Sequence, residues 1–192
     1  MTSKLVTRAL EEQGLLSLLA SREHGQIVTG SAAEEVLGRA DVLALGAAAD
    51  IARRRECGDE AHIYVPFAPP ASASLLLIDA REGARGTALL RKVATLRLTG
   101  EIGARIVVDW GAVGLEIAQV ALCFGATDLA GTIASRRGLP MLDSEDQKKQ
   151  VKRREIAGYV ERAGFRPVFV AMSDSSSTQA SEFQRARVHV EP

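Results

Sequence analysis

The chain of 192 residues is 46% apolar and 25% charged, as is typical of a globular domain with one buried core. Its 24 basic residues balance its 24 acidic residues, so no net field would draw it to nucleic acid or to an anionic membrane. Glu11 and Glu12 interrupt the first apolar stretch, which excludes a secretory signal there, and no apolar run approaches the roughly 20 residues that span a bilayer. We therefore expect a cytoplasmic protein that binds neither nucleic acid nor a membrane.

The first part of the chain is predicted to be helical. Leucines at loose helical spacing indicate an N-terminal helical segment over residues 1–30. Ser31 followed by Glu34 is typical of a capping box, and it predicts a helical region that runs on to Ile51 and ends before Gly58. We expect these helices to precede a sheet.

Strands and helices alternate from residue 61 onward. Short apolar runs predict strands at 62–67, 75–78, 105–110, 128–133 and 169–172. Helical periodicity and capping residues predict helices at about 84–98, 115–124 and 144–163. Such alternation indicates a parallel sheet with helices packed against it. A closed eight-unit barrel needs about 250 residues. We therefore expect residues 31–172 to form either a half TIM-type barrel or an open parallel sheet, followed by a polar tail over 173–192.

Cysteine and histidine are sparse. Cys57 and Cys123 are the only cysteines, too few for a disulfide framework, and a reducing compartment would keep both as thiols. His24, His62 and His189 are scattered, with no spacing that would bring two of them onto one metal ion. We predict no metal site.

Four stretches carry a resemblance to one family. Residues 91–98 read RKVATLRL, residues 109–114 read DWGAVG, residues 118–133 read AQVALCFGATDLAGTI, and residues 155–167 read EIAGYVERAGFRP. In this order they resemble the C-terminal part of the radical S-adenosylmethionine enzymes aminofutalosine synthase, dehypoxanthine futalosine cyclase and the deazaflavin precursor synthase. This resemblance covers about 88–168, and a weaker one covers 31–65, where residues 40–46 read ADVLALG and a basic run follows at 53–55. Together they imply a partial barrel and a link to the futalosine pathway of menaquinone biosynthesis.

The chain also departs from this family. The family's Cys-x3-Cys-x2-Cys motif holds a [4Fe-4S] cluster through thiolates, whereas residues 66–72 read PFAPPAS at the corresponding place. The middle strands of the barrel are missing, and Arg105 stands where the family has a histidine. The resemblance therefore implies a shortened, degenerate relative without an iron–sulfur cluster and without cleavage of S-adenosylmethionine.

Candidate ligand-binding residues lie near predicted strand ends, because ligands of parallel sheets bind at the carboxyl ends of the strands. The candidates are Asp109, Trp110, Glu116, Asp128, Gly131 and Thr132, with Arg105 as a candidate for binding an anion. The strands that contain Asp109 and Asp128 are expected to be neighbours that flank one crevice. Simpler roles stay open: Asp128 as a turn cap, Gly131 as a site of close packing and Trp110 as a core residue.

Two main functions remain open at this level. A non-catalytic relative would bind its own copy, a partner protein or a purine-like metabolite, since an open sheet leaves two strand edges to be covered. An enzyme of a different type would use the carboxylates of Asp109, Glu116 and Asp128 for acid and base work. A third possibility combines partner binding with catalysis: the chain completes the split active site of a cysteine-bearing partner.

Overall fold

The computed structural model describes residues 3–65, 75–78, 86–131 and 152–171. Thr132, the residues predicted as a tail over 173–192, and the first part of the helix predicted over 144–163 lie outside these ranges. Among the described residues, no helix has the length and apolar character needed to cross a membrane.

The described chain forms a mixed α/β structure. Its helices are α1 (Lys4–Glu12), α2 (Leu15–Glu23), α3 (Ser31–Arg39), α4 (Val42–Cys57), α5 (Thr87–Thr99), α6 (Trp110–Val113), α7 (Leu115–Leu122) and α8 (Arg153–Arg162). Its strands are β1 (Glu60–Val65), β2 (Leu75–Ile78), β3 (Arg105–Asp109), β4 (Asp128–Ala130) and β5 (Arg166–Ala171). The predicted alternation of strands and helices is confirmed.

Both predicted N-terminal helical regions are divided in two. Gly14 takes a left-handed conformation with φ 72° between α1 and α2. Asp41 begins α4 by accepting hydrogen bonds from the backbone N–H groups of Leu43 and Ala44, as an N-cap residue does. The predicted capping box at Ser31 is wrong, because Gly30 occupies the cap position of α3 and no side chain caps that helix.

All described strand pairs are parallel, in the order β2-β3-β4-β1-β5. The predicted parallel sheet is therefore confirmed. A segment of a barrel would hold its strands in consecutive order, but β1 lies between β4 and β5. The half-barrel alternative does not describe this strand order.

The two faces of the sheet differ in what covers them. Successive side chains of a strand point to opposite faces. Ile63, Ile106 and Leu129 face the main core, to which every described helix contributes, including α1 and α2 of the N-terminal segment. The opposite face carries a small cluster formed by strand residues alone among the described part of the chain, with Tyr64 and Val107 at its centre.

Three buried arginines, Arg22, Arg53 and Arg97, and Glu56, whose side chain is 8% exposed, join the helices to the amino edge of the sheet. We call these four residues the amino-edge cluster. The Glu56 carboxylate binds the Arg22 guanidinium through both oxygens, at 2.8 and 2.9 Å, and contacts Arg97 at 3.4 Å. Burial raises the pKa of Glu56, but the hydrogen bond from Arg22 and the nearby positive charges outweigh it and hold the pKa below its ordinary value.

The arginines of this cluster donate hydrogen bonds to loop carbonyls that would otherwise be buried without a donor. Arg97 donates to the carbonyls of Gly125 at 2.9 Å and Ala104 at 2.7 Å. Arg53 donates to the carbonyl of Ala126 at 3.2 Å, and burial lowers the pKa of Arg53 to about 10. Buried carbonyls without a donor are costly, so the cluster fixes the loops from which β3 and β4 start.

Candidate functional site

The carboxyl ends of β3 and β4 lie side by side, as the sequence predicted. Asp109, the last residue of β3, is in register with Ala130, the last residue of β4. Trp110 and Gly131 directly follow these two residues. These four residues therefore lie together at the carboxyl edge, where open parallel sheets bind ligands.

Trp110 is a core residue whose indole lies against Gly131. The residue is only 3% exposed and belongs to the main hydrophobic core. A Cβ atom built on Gly131 would lie 2.3 Å from Cε2 of the indole, so a glycine is required for this close approach. The simpler expectations for Trp110 and Gly131, core packing and close contact, are both confirmed.

Asp109 shapes the turn at the end of β3. Its carboxylate accepts a hydrogen bond of 2.9 Å from the backbone N–H of Gly111 and so caps the single turn of α6. The residue is half-buried. An Asp in this position holds the chain reversal in place at the carboxyl edge of the sheet.

Glu116 does not join the strand ends through a described contact. It is exposed in the first turn of α7, and its carboxylate accepts a hydrogen bond of 3.5 Å from the hydroxyl of Tyr159 on α8. The structure thus links Glu116 to a neighbouring helix.

Asp128 occupies the amino end of β4 and is fully buried. Arg105 binds it with two hydrogen bonds, of which the one from Nε to Oδ2 measures 2.6 Å. The carboxylate also accepts from the backbone N–H of His62 and from the hydroxyl of Thr127, both at 3.2 Å. Asp128 was expected to flank a crevice at the carboxyl ends of the strands. Its strand lies beside β3 as predicted, but Asp128 itself lies two residues before the carboxyl end of β4.

The anion that Arg105 binds in this structure is the carboxylate of Asp128. Burial disfavours the charge of Arg105, but the hydrogen bond and attraction to Asp128 outweigh it and raise the pKa of Arg105 above its ordinary value. Its side chain keeps 32% of its surface exposed. Arg105 therefore remains charged, and its role in the described chain is to neutralise Asp128.

Part of this polar face of the sheet was not predicted from the sequence. Glu60, His62 and Tyr64 alternate along β1 and share the face with Asp128. His62 lies 3.5 Å from Glu60 and makes an edge contact with Tyr64, with ring centroids 6.4 Å apart. Burial and the charge of Asp128 raise the pKa of Tyr64, so its hydroxyl stays neutral. The two-residue spacing of these polar side chains was the signal that could have identified them.

Replacing Asp128 with asparagine is expected to destabilise the fold by about 2 kcal/mol, because the half-buried Arg105 loses a charged, bidentate partner. Urea unfolding followed by circular dichroism measures the loss. The matched control is Asp59→Asn, since Asp59 pairs with Arg54 at an exposed position where ion pairs contribute little. Equal losses of stability for the two substitutions would show that the ion pair of Asp128 stabilises the fold no more than a surface ion pair does.

Among the described residues, no group of three His, Cys, Asp or Glu side chains is arranged to hold a metal ion. Cys57 is the last residue of α4 and Cys123 directly follows α7, and they contact different carbonyls, those of Ala104 and Ala163. No protein-family model matches the chain, and no curated protein matches it significantly.

Proposed function

We propose that this chain is a small-metabolite-binding protein, a non-radical relative of the menaquinone-pathway radical S-adenosylmethionine enzymes, with its ligand site at the carboxyl edge of β3 and β4. One observation carries the proposal: two adjacent parallel strands end in register, with Asp109 as the last residue of β3, Trp110 directly after it, and Gly131 directly after β4. Parallel α/β sheets bind ligands at such edges. A purine nucleoside is the ligand class that the family resemblance favours.

The cysteine content supports the non-radical part of this proposal. Radical cleavage of S-adenosylmethionine needs a cluster held by three thiolates from one motif, and the whole sequence has two cysteines. Cys57 is the last residue of α4, whereas Cys123 directly follows α7. The chain alone therefore lacks the ligands for such a cluster. In the alternative in which this chain is a subunit, a cysteine-bearing partner would supply them.

The geometry also favours binding over acid–base catalysis. Of the three carboxylates considered for an enzyme, Asp128 is neutralised by Arg105, Glu116 contacts Tyr159, and Asp109 caps α6. General acid–base catalysis requires groups placed together around one reacting atom. Binding needs only Asp109 and its neighbours at the strand ends.

We expect inosine or adenosine to bind with modest affinity when titrated calorimetrically, and Asp109→Asn to weaken that binding about tenfold, since a hydrogen bond to a charged acceptor contributes roughly 1.5 to 3 kcal/mol. Asn retains the ability to accept from Gly111, so the turn should persist. Asp59→Asn is the control, because Asp59 lies at the exposed start of β1, at the opposite edge of the sheet. Absence of binding by every nucleoside would refute the proposal.

A second candidate function is binding of a second copy of the chain. An apolar groove of about 410 Å³ lies between α1 and α4, and Leu5 and Leu43 on its walls are 80% and 72% exposed. The outer described strands β2 and β5 add two sheet edges. Exposed leucines grouped in this way are typical of an association surface, and a two-fold dimer requires only one self-complementary patch.

Light scattering over a concentration series is expected to show a dimer, which Leu43→Asn should shift to the monomer. Val120→Asn serves as the control because Val120 is partly exposed on α7, outside this groove. A monomer at every concentration, or a dimer that resists Leu43→Asn, would exclude this interface.

A further inference from the structure

The indole N–H of Trp110 is a buried hydrogen-bond donor. The residue is 3% exposed, and no acceptor for Nε1 lies among the described residues. An unsatisfied buried donor costs roughly 1 to 3 kcal/mol, and such groups in native proteins usually have a partner or a functional role. The core position of the ring explains the burial of its carbon atoms but not the lack of an acceptor for its nitrogen.

The position of this donor is fixed by its contact with Gly131. A Cβ atom built on Gly131 would lie 2.7 Å from Nε1, and Gly131 directly follows β4. The N–H group therefore lies just beyond the carboxyl end of β4, beside the end of β3. This is the same edge at which the proposed ligand site lies.

We infer that this N–H donates a hydrogen bond to a neutral carbonyl oxygen of a bound small molecule, such as the lactam carbonyl of an oxopurine. The inference rests on the proposed function and gives Trp110 a specific role in it, because the buried ring offers its N–H group as a hydrogen-bond donor. The carbonyl class follows from the surroundings: the indole belongs to the apolar core, and burying an anion against apolar groups is costly unless it is paired.

Nuclear magnetic resonance tests this directly, because Trp110 is the only tryptophan and gives a single indole N–H signal. Titration of the full chain with inosine is expected to move this signal downfield and to slow its exchange with water. Inorganic phosphate is the second arm and is expected to leave the signal unchanged.

Trp110→Phe adds an independent measurement, since phenylalanine keeps an aromatic ring in the core but has no N–H group. We expect it to weaken inosine binding about tenfold, the effect of one hydrogen bond. Thr99→Val is the control, because the hydroxyl of Thr99 donates to the carbonyl of Thr95 within α5, and its binding should match the parent chain.

The outcomes separate the two proposals. If inosine binds but the indole signal does not move and Trp110→Phe binds equally well, the inference is overturned while the ligand site stands. If the indole signal moves with phosphate but not with inosine, the proposal that the acceptor is a neutral carbonyl oxygen is overturned. If no nucleoside binds and the signal stays fixed, both the inference and the proposed function fail.

Discussion

Replacing Glu56 with glutamine is expected to lower the free energy of unfolding by about 3 to 5 kcal/mol, the usual cost of removing one partner from a buried ion pair. Glutamine has nearly the same shape but no charge, so it would leave the buried guanidinium groups of Arg22 and Arg97 without their counterion. The backbone N–H of Gly103 also donates to Glu56, at 3.1 Å. Chemical denaturation of the parent and the variant measures the difference.

The control for this substitution is Glu35→Gln, which removes an ion pair with Arg39 in which both side chains are exposed. Such pairs contribute about 0 to 1 kcal/mol. A loss of stability for Glu56→Gln as small as that of the control would show that the amino-edge cluster is not a source of stability.

The same variant should also change the response to acid. The folded-state pKa of Glu56 lies below its ordinary value of 4.5, so the unfolded chain binds the proton more readily. The stabilisation from Glu56 is therefore fully present above the ordinary value and is lost as the pH falls through the lowered pKa. Glu56→Gln should unfold with a shallower dependence on pH below 4.5.

Replacing Gly131 with alanine is expected to destabilise the fold by about 3 kcal/mol, at the upper end of the usual cost of overpacking. The added methyl group would lie 2.3 Å from the indole of Trp110, which is far inside van der Waals contact. The ring must then move out of the core. Because Trp110 is the only tryptophan, its fluorescence reports the movement directly, and we expect emission at longer wavelength.

Gly38→Ala is the matched control for this prediction. Gly38 lies in α3 with no atom within 4 Å of a built Cβ, so alanine should be neutral or stabilise the helix by up to about 1 kcal/mol. Unchanged fluorescence and stability for Gly131→Ala would mean that the indole does not lie against the end of β4 as the structure shows.

The sequence determined the features that local patterns encode. The apolar run Ile106 to Val108 between Gly103 and Gly111 predicted β3, and the run Leu75–Ile78 predicted β2 at its observed bounds. Alternation of such runs with helical periodicity was sufficient to predict a parallel α/β sheet, because strand and helix periods depend on neighbours in the chain. The adjacency of β3 and β4 also followed, since consecutive parallel strands are usually neighbours.

The tertiary structure alone decided the strand order and the partners of the charged residues. The insertion of β1 between β4 and β5 has no local signal, and it brings the backbone of His62 to the carboxylate of Asp128. In the sequence, Arg53 belongs to a basic run at the end of a helix, a pattern that a solvated helix terminus also shows. Its burial depends on which loops pack over that helix. Contacts between residues far apart in the chain are set by the packing of whole elements, and no spacing in the sequence records them.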